Sequence, residues 1–164
     1  MAAVASALGV ILLTLGSFVE VLDISMAAIA SLLVVFGVIE LGGKYPYLIY
    51  AVTALLAMLL LPIKTPALIY LLFAGYYPIV KSVLERRLPR PVAWAVKFVT
   101  FNIGLFLLLF VAVKVFLGAV PEIWWRYWWL LLLLQPIFLL YDIALTRLIT
   151  AYLTRWRHRL HLSE

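Results

Sequence analysis

Ionisable side chains are rare in this 164-residue chain, so the few that fall within apolar segments are the ones whose chemistry needs explaining. The densest group lies in the stretch GYYPIVKSVLER, residues 75–86. Pro78 predicts a kink in a helix, because proline has no backbone N–H and frees the carbonyl of Ala74. Lys81 and Glu85 are four residues apart, so a helix places both on one face.

Two interpretations of Lys81 stay open from the sequence. In the first, Lys81 extends to the aqueous interface and pairs with Glu85, and Tyr76 and Tyr77 are packing residues. In the second, the lysine is held inside the protein by a carboxylate, with Glu40 as the natural partner. We predict the buried arrangement, because the kink redirects the second half of the helix and Glu40 ends at a similar depth.

Further polar residues are predicted near the same end of the protein. Lys44 follows Glu40 by four residues, and Asn102 lies five residues deeper than Lys97, roughly 7–8 Å by helical rise. The predicted inner polar cluster consists of Glu40, Lys44, Tyr76, Tyr77, Lys81, Glu85, Lys97, Asn102, Asp142 and Arg147. Such a set either cross-braces helices or shapes a binding site, and we favour cross-bracing.

An aromatic segment marks the opposite end, with four tryptophans and one tyrosine in the six residues 124–129. Amphipathic rings of this kind settle at headgroup depth in a membrane, which is the simpler interpretation. In the alternative, some of these rings cover an outward-facing ligand pocket, because aromatic rings stack on flat organic ligands. The candidate outer ligand rim consists of Glu20, Asp23, Trp124, Trp125, Arg126 and Trp128.

The composition predicts an integral membrane protein. Hydrophobic residues make up 68% of the chain and charged residues 12%, whereas a soluble domain is about 45–50% apolar and about 25% charged. The lack of cysteine excludes a secreted disulfide scaffold. The net charge of +6 does not indicate nucleic acid as a partner, because the basic residues lie in short loops and in the tail, where they meet anionic lipid.

No constellation of residues typical of an enzyme appears in the apolar segments. Both histidines, His158 and His161, fall in the polar tail, and there is no glycine-rich phosphate loop. We therefore expect neither an enzyme nor a metal or cofactor site.

Six apolar segments are long enough to cross a bilayer, which needs about 20 residues per helix. We expect an all-α integral membrane protein, a compact bundle of six transmembrane helices in a single domain. The break between the first two helices rests on length and on the cost of placing Glu20 and Asp23 in lipid. The predicted helices span about 2–22, 24–41, 45–62, 66–87, 91–117 and 123–154, and a basic tail covers 155–164.

The distribution of basic residues predicts the orientation. Six crossings place both termini on one side, and with that side cytoplasmic, ten of the thirteen lysines and arginines lie inside. A five-span arrangement divides the basic loops between both faces and ranks second. The first helix carries Ala3 and Ala7 at a spacing that permits close contact with another helix, such as one from a partner subunit.

Six short-looped helices, small residues at the start of the first helix and no nucleotide motif resemble a substrate-binding S component of the energy-coupling factor (ECF) transporters. The GYYP…KS…ER segment resembles one in small uncharacterised bacterial integral membrane proteins. In size and topology the chain is also similar to the rod-shape-determining membrane protein D family. The first resemblance implies a small-molecule ligand near the outer face and docking to a transmembrane coupling subunit with two ATPases.

Two functions follow as hypotheses. The first is a membrane-embedded subunit that binds a small molecule for uptake, without ATPase activity of its own. The second is a membrane scaffold that organises a partner complex through the inner polar cluster and the basic tail.

Overall fold

The computed structural model describes residues 1–19, 22–112 and 128–156, and these residues form six helices and no strand. The predicted all-helical fold and the number of helices are confirmed for this part of the chain. The helices are α1 (Ala2–Phe18), α2 (Asp23–Leu41), α3 (Tyr45–Leu60), α4 (Thr65–Arg87), α5 (Arg90–Ala112) and α6, which is α-helical over Trp128–Ala151 and π-helical over Tyr152–Trp156.

Four of these helices are long and apolar enough to cross a membrane. The qualifying spans are Asp23–Leu41, Thr65–Arg87, Arg90–Val111 and Leu132–Thr154, whereas α1 and α3 are shorter apolar helices. The chain divides into two compact units, Met1–Ala112 and Val113–Glu164. The single transmembrane domain stays a prediction.

Helices α1 and α2 form the expected hairpin. Helix α1 ends at Phe18 because Val19 adopts an extended backbone (φ −130°, ψ 93°), and α2 begins at Asp23. The two helices pack through small residues: a methyl group built on Gly16 would lie 2.9 Å from Cβ of Met26. Glycine has no side chain, so two helix backbones can approach closely at this position. Small residues at helix contacts are typical of helices in lipid, where no hydrophobic effect drives association.

The core of the first unit continues this pattern of small residues. A methyl group on Gly9 would lie 2.8 Å from Cγ2 of Thr53 on α3, so α1 contacts α2 and α3 along one face. The buried alanines of the core are Ala5, Ala27, Ala30, Ala54, Ala57, Ala67 and Ala74. The first unit is therefore a set of closely spaced helices, in which a larger residue at these positions would overpack the core.

The turn between α2 and α3 lies between Glu40 and Lys44, which are four residues apart in the sequence. Helix α2 ends in a π-helical turn over Gly37–Leu41, and Gly42 and Gly43 take positive φ angles of 61° and 53°. Glycine adopts this left-handed conformation without steric cost, which reverses the chain. Glu40 and Lys44 therefore do not belong to one helix, and the geometry of a helical pair four residues apart does not apply to them.

Lys64 ends α3 in a way that the sequence analysis did not identify. Its Nζ donates to the backbone carbonyls of Met58 at 2.7 Å and Leu61 at 2.6 Å. The last carbonyls of a helix have no donor within the helix and carry partial negative charge, so a lysine there satisfies them and stabilises the helix end.

Candidate functional site

Helix α4 is a broken helix, not a continuous helix with a kink at Pro78. It is α-helical over Thr65–Ile69, π-helical over Tyr70–Ala74, and α-helical again over Tyr77–Arg87, with a turn at Gly75–Tyr76 between the last two parts. Pro78 lies in the first turn of the second α-helical part, where its missing N–H is not needed. The predicted irregularity is therefore present, but it lies before the proline.

Tyr50 of α3 satisfies a backbone group at this break. The N–H of Gly75 donates to the carbonyl of Tyr70, five residues earlier, at 2.8 Å. In an α-helix the same N–H would donate to Leu71. The hydroxyl of Tyr50 donates to the Leu71 carbonyl instead, also at 2.8 Å. A side chain from a neighbouring helix thus replaces a main-chain donor, as an irregular backbone requires in an apolar environment.

The space beside the break is filled by protein. A methyl group on Gly75 would lie 2.6 Å from Cδ2 of Tyr50 and 2.8 Å from the carbonyl oxygen of Tyr70. The ring of Tyr50 also lies 6.1 Å from that of Tyr70 and 6.4 Å from that of Tyr76. This tyrosine cluster, Tyr50, Tyr70 and Tyr76, packs around the break.

Three ionisable residues of the predicted inner polar cluster meet near the end of α4. The Nζ atoms of Lys81 and Lys97 lie 2.9 Å and 2.6 Å from one carboxylate oxygen, Oε1 of Glu85. Lys81 and Lys97 are 1% and 2% exposed, whereas the side chain of Glu85 is 44% exposed. We call these residues the ionic triad. It links α4 to α5, since Lys97 belongs to the second helix.

The ionic triad combines the two interpretations of Lys81. The lysine is buried, as predicted, and its partner is the partly exposed Glu85, the pairing of the first interpretation. The pairing with Glu40 stays a prediction. Glu40 is half-buried in the turn that ends α2, and this turn contacts the second part of α4.

Lys97 has a second favourable neighbour. Its Nζ lies 4.9 Å from the centre of the Trp94 ring, within the range of a cation–π interaction. The sequence held a signal for its position: Lys81 precedes Leu88 by seven residues and Lys97 follows Pro89 by eight. In a helical hairpin, these spacings place both lysines at similar depth below the turn.

Other predicted cluster residues of the first unit have neighbours of their own. Tyr77 is buried with its ring 5.3 Å from that of Phe73. Lys44 is exposed before α3, and Asn102 is exposed on α5, where its amide donates to the carbonyl of Phe98 at 2.8 Å. Two further members belong to the second unit, Asp142 and Arg147.

Gly104 was missed in the sequence analysis although it carries a signal. A methyl group there would lie 2.7 Å from the hydroxyl of Tyr76 and 2.9 Å from the carbonyl oxygen of Leu72. Gly104 thus lets α5 approach the π-helical part of α4. A glycine within an otherwise apolar helical segment lowers helix stability, so it often marks such an approach.

Most of the predicted outer ligand rim lies outside the described residues, namely Glu20, Trp124, Trp125, Arg126 and the side chain of Trp128. Asp23 is buried as the first residue of α2, where a carboxylate interacts favourably with the helix dipole. Asp23 therefore has a structural explanation, and the rim as a whole stays a prediction.

Within 1–19, 22–112 and 128–156, no three histidine, cysteine, aspartate or glutamate residues come together to hold a metal ion. The fold and the ionic triad define a helical protein with several apolar helices of membrane-spanning length. Comparisons with models of known protein families, with curated proteins and with solved structures find no match.

Proposed function

We propose that the protein is a multi-pass cell-membrane protein with six transmembrane helices and both termini in the cytoplasm. Four helices of sufficient length and the predominance of basic residues on one side support this proposal. The chain has no cysteine, so single cysteines can be introduced without removing any. A cysteine at Ala119 reacts with an impermeant maleimide in whole cells, whereas one at Leu88 does not. The reverse pattern contradicts the orientation.

The protein works as a docking subunit of a membrane complex and not as an enzyme. The two faces of α1 carry this proposal. One face, with Ala5, Gly9 and Gly16, is buried within the first unit, whereas Ala3 and Ala7 are exposed on another. Small residues on an exposed helical face let a partner helix approach closely, which bulky residues would prevent.

In the first candidate function, this complex is an uptake system and the protein is its substrate-binding subunit, resembling an ECF transporter S component. The partner helix then belongs to a transmembrane coupling subunit that carries two ATPases. Ala3→Leu with Ala7→Leu abolishes co-purification of these subunits, whereas the matched control, Ala51→Leu with Ala95→Leu on exposed positions of α3 and α5, retains it. Equal co-purification in both variants contradicts docking through α1.

A small molecule should remain bound to the protein when it is released from mild detergent in native mass spectrometry. The mass of the complex then exceeds that of the chain by the mass of the ligand. A protein that carries partner subunits and no ligand contradicts substrate capture.

A non-transporting scaffold, similar to the rod-shape-determining membrane protein D family, is the second candidate. The filled space at the break in α4 favours it, because Tyr50 occupies the position where broken membrane helices often hold a ligand. A scaffold forms a stable complex with partner proteins and retains no specific ligand, so the same mass measurement separates the two functions.

A further inference from the structure

The turn between α4 and α5 carries a concentration of positive charge. Arg86 and Arg87 end α4, and Arg90 begins α5 after only two intervening residues. All three arginines are exposed, and none makes an ion pair within the described part of the chain. We call Arg86, Arg87 and Arg90 the arginine turn.

The nearest carboxylate in sequence, that of Glu85, is bound by two lysines. Oε1 of Glu85 is bound by Lys81 and Lys97, both of which are buried. Glu85, the one acidic residue near the turn between α4 and α5, is therefore bound within the ionic triad. The positive charge of the arginines is left available to a partner.

The arginine turn is held in place by both helices. The N–H of Leu88 donates to the carbonyl of Leu84 at 2.9 Å, and the N–H of Ala93 donates to the carbonyl of Pro89 at 3.0 Å. The ionic triad connects the same two helices below the turn. A partner that binds the arginines consequently has little backbone to order, which lowers the entropic cost of binding.

The position of Arg90 is not explained by a favourable interaction with the helix dipole. Arg86 and Arg87 lie at the C-terminal end of α4, where a cation interacts favourably with the helix dipole. Arg90 lies at the start of α5, where the partial charge is positive and a cation is disfavoured. An anion outside the helix would compensate for this repulsion.

Trp94 indicates what kind of anion this is. It follows Arg90 by four residues and therefore lies on the same face of α5, and it is only partly buried. Tryptophan settles at the level of lipid headgroups, with its ring towards the apolar side. Guanidinium groups at one level and an indole one turn deeper match the headgroup phosphate and the upper chain of a phospholipid.

We propose that the arginine turn and Trp94 bind an anionic phospholipid of the membrane leaflet that the turn faces. This inference rests on the proposed membrane embedding and goes beyond it, because it assigns a selective headgroup site to one turn. Each arginine near an anionic membrane surface contributes about a fivefold increase in affinity.

The test uses the full chain in nanodiscs that contain equal amounts of phosphatidylglycerol and phosphatidylcholine. Native mass spectrometry of the released protein counts the retained lipids. We expect retained phosphatidylglycerol to exceed phosphatidylcholine, and Arg87→Gln with Arg90→Gln to weaken phosphatidylglycerol binding at least tenfold. The control, Lys44→Gln with Arg147→Gln, removes two exposed charges elsewhere and should weaken it less than twofold.

Three results would overturn the lipid site: equal retention of both lipids, the same loss in the control, or binding of soluble glycerol phosphate as tight as that of the lipid. Insertion into nanodiscs is scored separately by size-exclusion chromatography. A protein that inserts but shows no lipid preference contradicts only this inference, whereas one that inserts into no bilayer contradicts the membrane proposal as well.

Discussion

The hydroxyl of Tyr50 on α3 lies 2.8 Å from the carbonyl oxygen of Leu71 on α4 and donates a hydrogen bond to it. This bond joins a side chain to the π-helical part of α4, where the N–H of Gly75 is directed to Tyr70. The irregular backbone of α4 is thus stabilised by a residue 21 positions earlier in the chain. Loss of the Tyr50 hydroxyl should therefore lower the stability of the first unit.

Tyr50→Phe should lower the free energy of unfolding by about 1–3 kcal/mol, the cost of leaving a partly buried carbonyl without its donor. Thermal unfolding in detergent measures the effect. Tyr47→Phe is the matched control, since it removes a hydroxyl from an exposed position of the same helix. Equal melting temperatures for the two variants would contradict a stabilising role for the Tyr50 hydroxyl.

Gly75→Ala should destabilise the protein although alanine is the better helix former. The added methyl group would lie 2.6 Å from the Tyr50 ring and 2.8 Å from a backbone oxygen that cannot move aside alone. Overpacking of this kind costs about 1–3 kcal/mol. Ala51→Val enlarges an exposed position of α3 and should leave the melting temperature nearly unchanged. An increase in stability for Gly75→Ala would show that α4 is not packed as closely as described.

Glu85→Gln should cost more stability than either Lys81→Met or Lys97→Met. The glutamate provides the carboxylate oxygen that both buried ammonium groups share, whereas either lysine variant leaves the other lysine bound to it. We expect a loss of about 1–3 kcal/mol, between the values for exposed and for buried ion pairs, because Glu85 is partly exposed. Lys44→Gln removes an exposed charge outside the ionic triad as a control. A Glu85→Gln protein with the same melting temperature as the wild type would rule out bracing by the ionic triad.

A double-mutant cycle tests the predicted pairing of Lys81 with Glu40. Thermal unfolding in detergent is compared for Lys81→Met, Glu40→Gln and the double variant. If the residues pair, the double variant should be no less stable than the worse single variant, because the second change removes a charge that has already lost its partner. Additive losses would show that Glu40 acts independently of Lys81.

The helical architecture could be predicted from the sequence because it depends on local properties. Runs of apolar residues, with Gly42–Gly43 and the prolines at 46 and 66 as punctuation, are sufficient to predict six helices and most of their ends. The burial of Lys81 was predicted from a kink at Pro78 and from the depth of Glu40; the lysine is buried, but the irregularity lies before the proline. Its pairing with Glu85 follows from a spacing of four residues in one helix.

What the sequence by itself determined, then, is an all-helical chain with membrane-length apolar helices and an excess of basic residues on one predicted side. Only the tertiary structure decided that Lys97 and Lys81 bind the same carboxylate oxygen of Glu85. The same holds for the hydrogen bond from Tyr50 to α4 and for the close contact of Gly104 with Tyr76. Each of these contacts joins residues of different helices. Their geometry depends on how the helices pack in space, and periodicity along one helix carries no information about that.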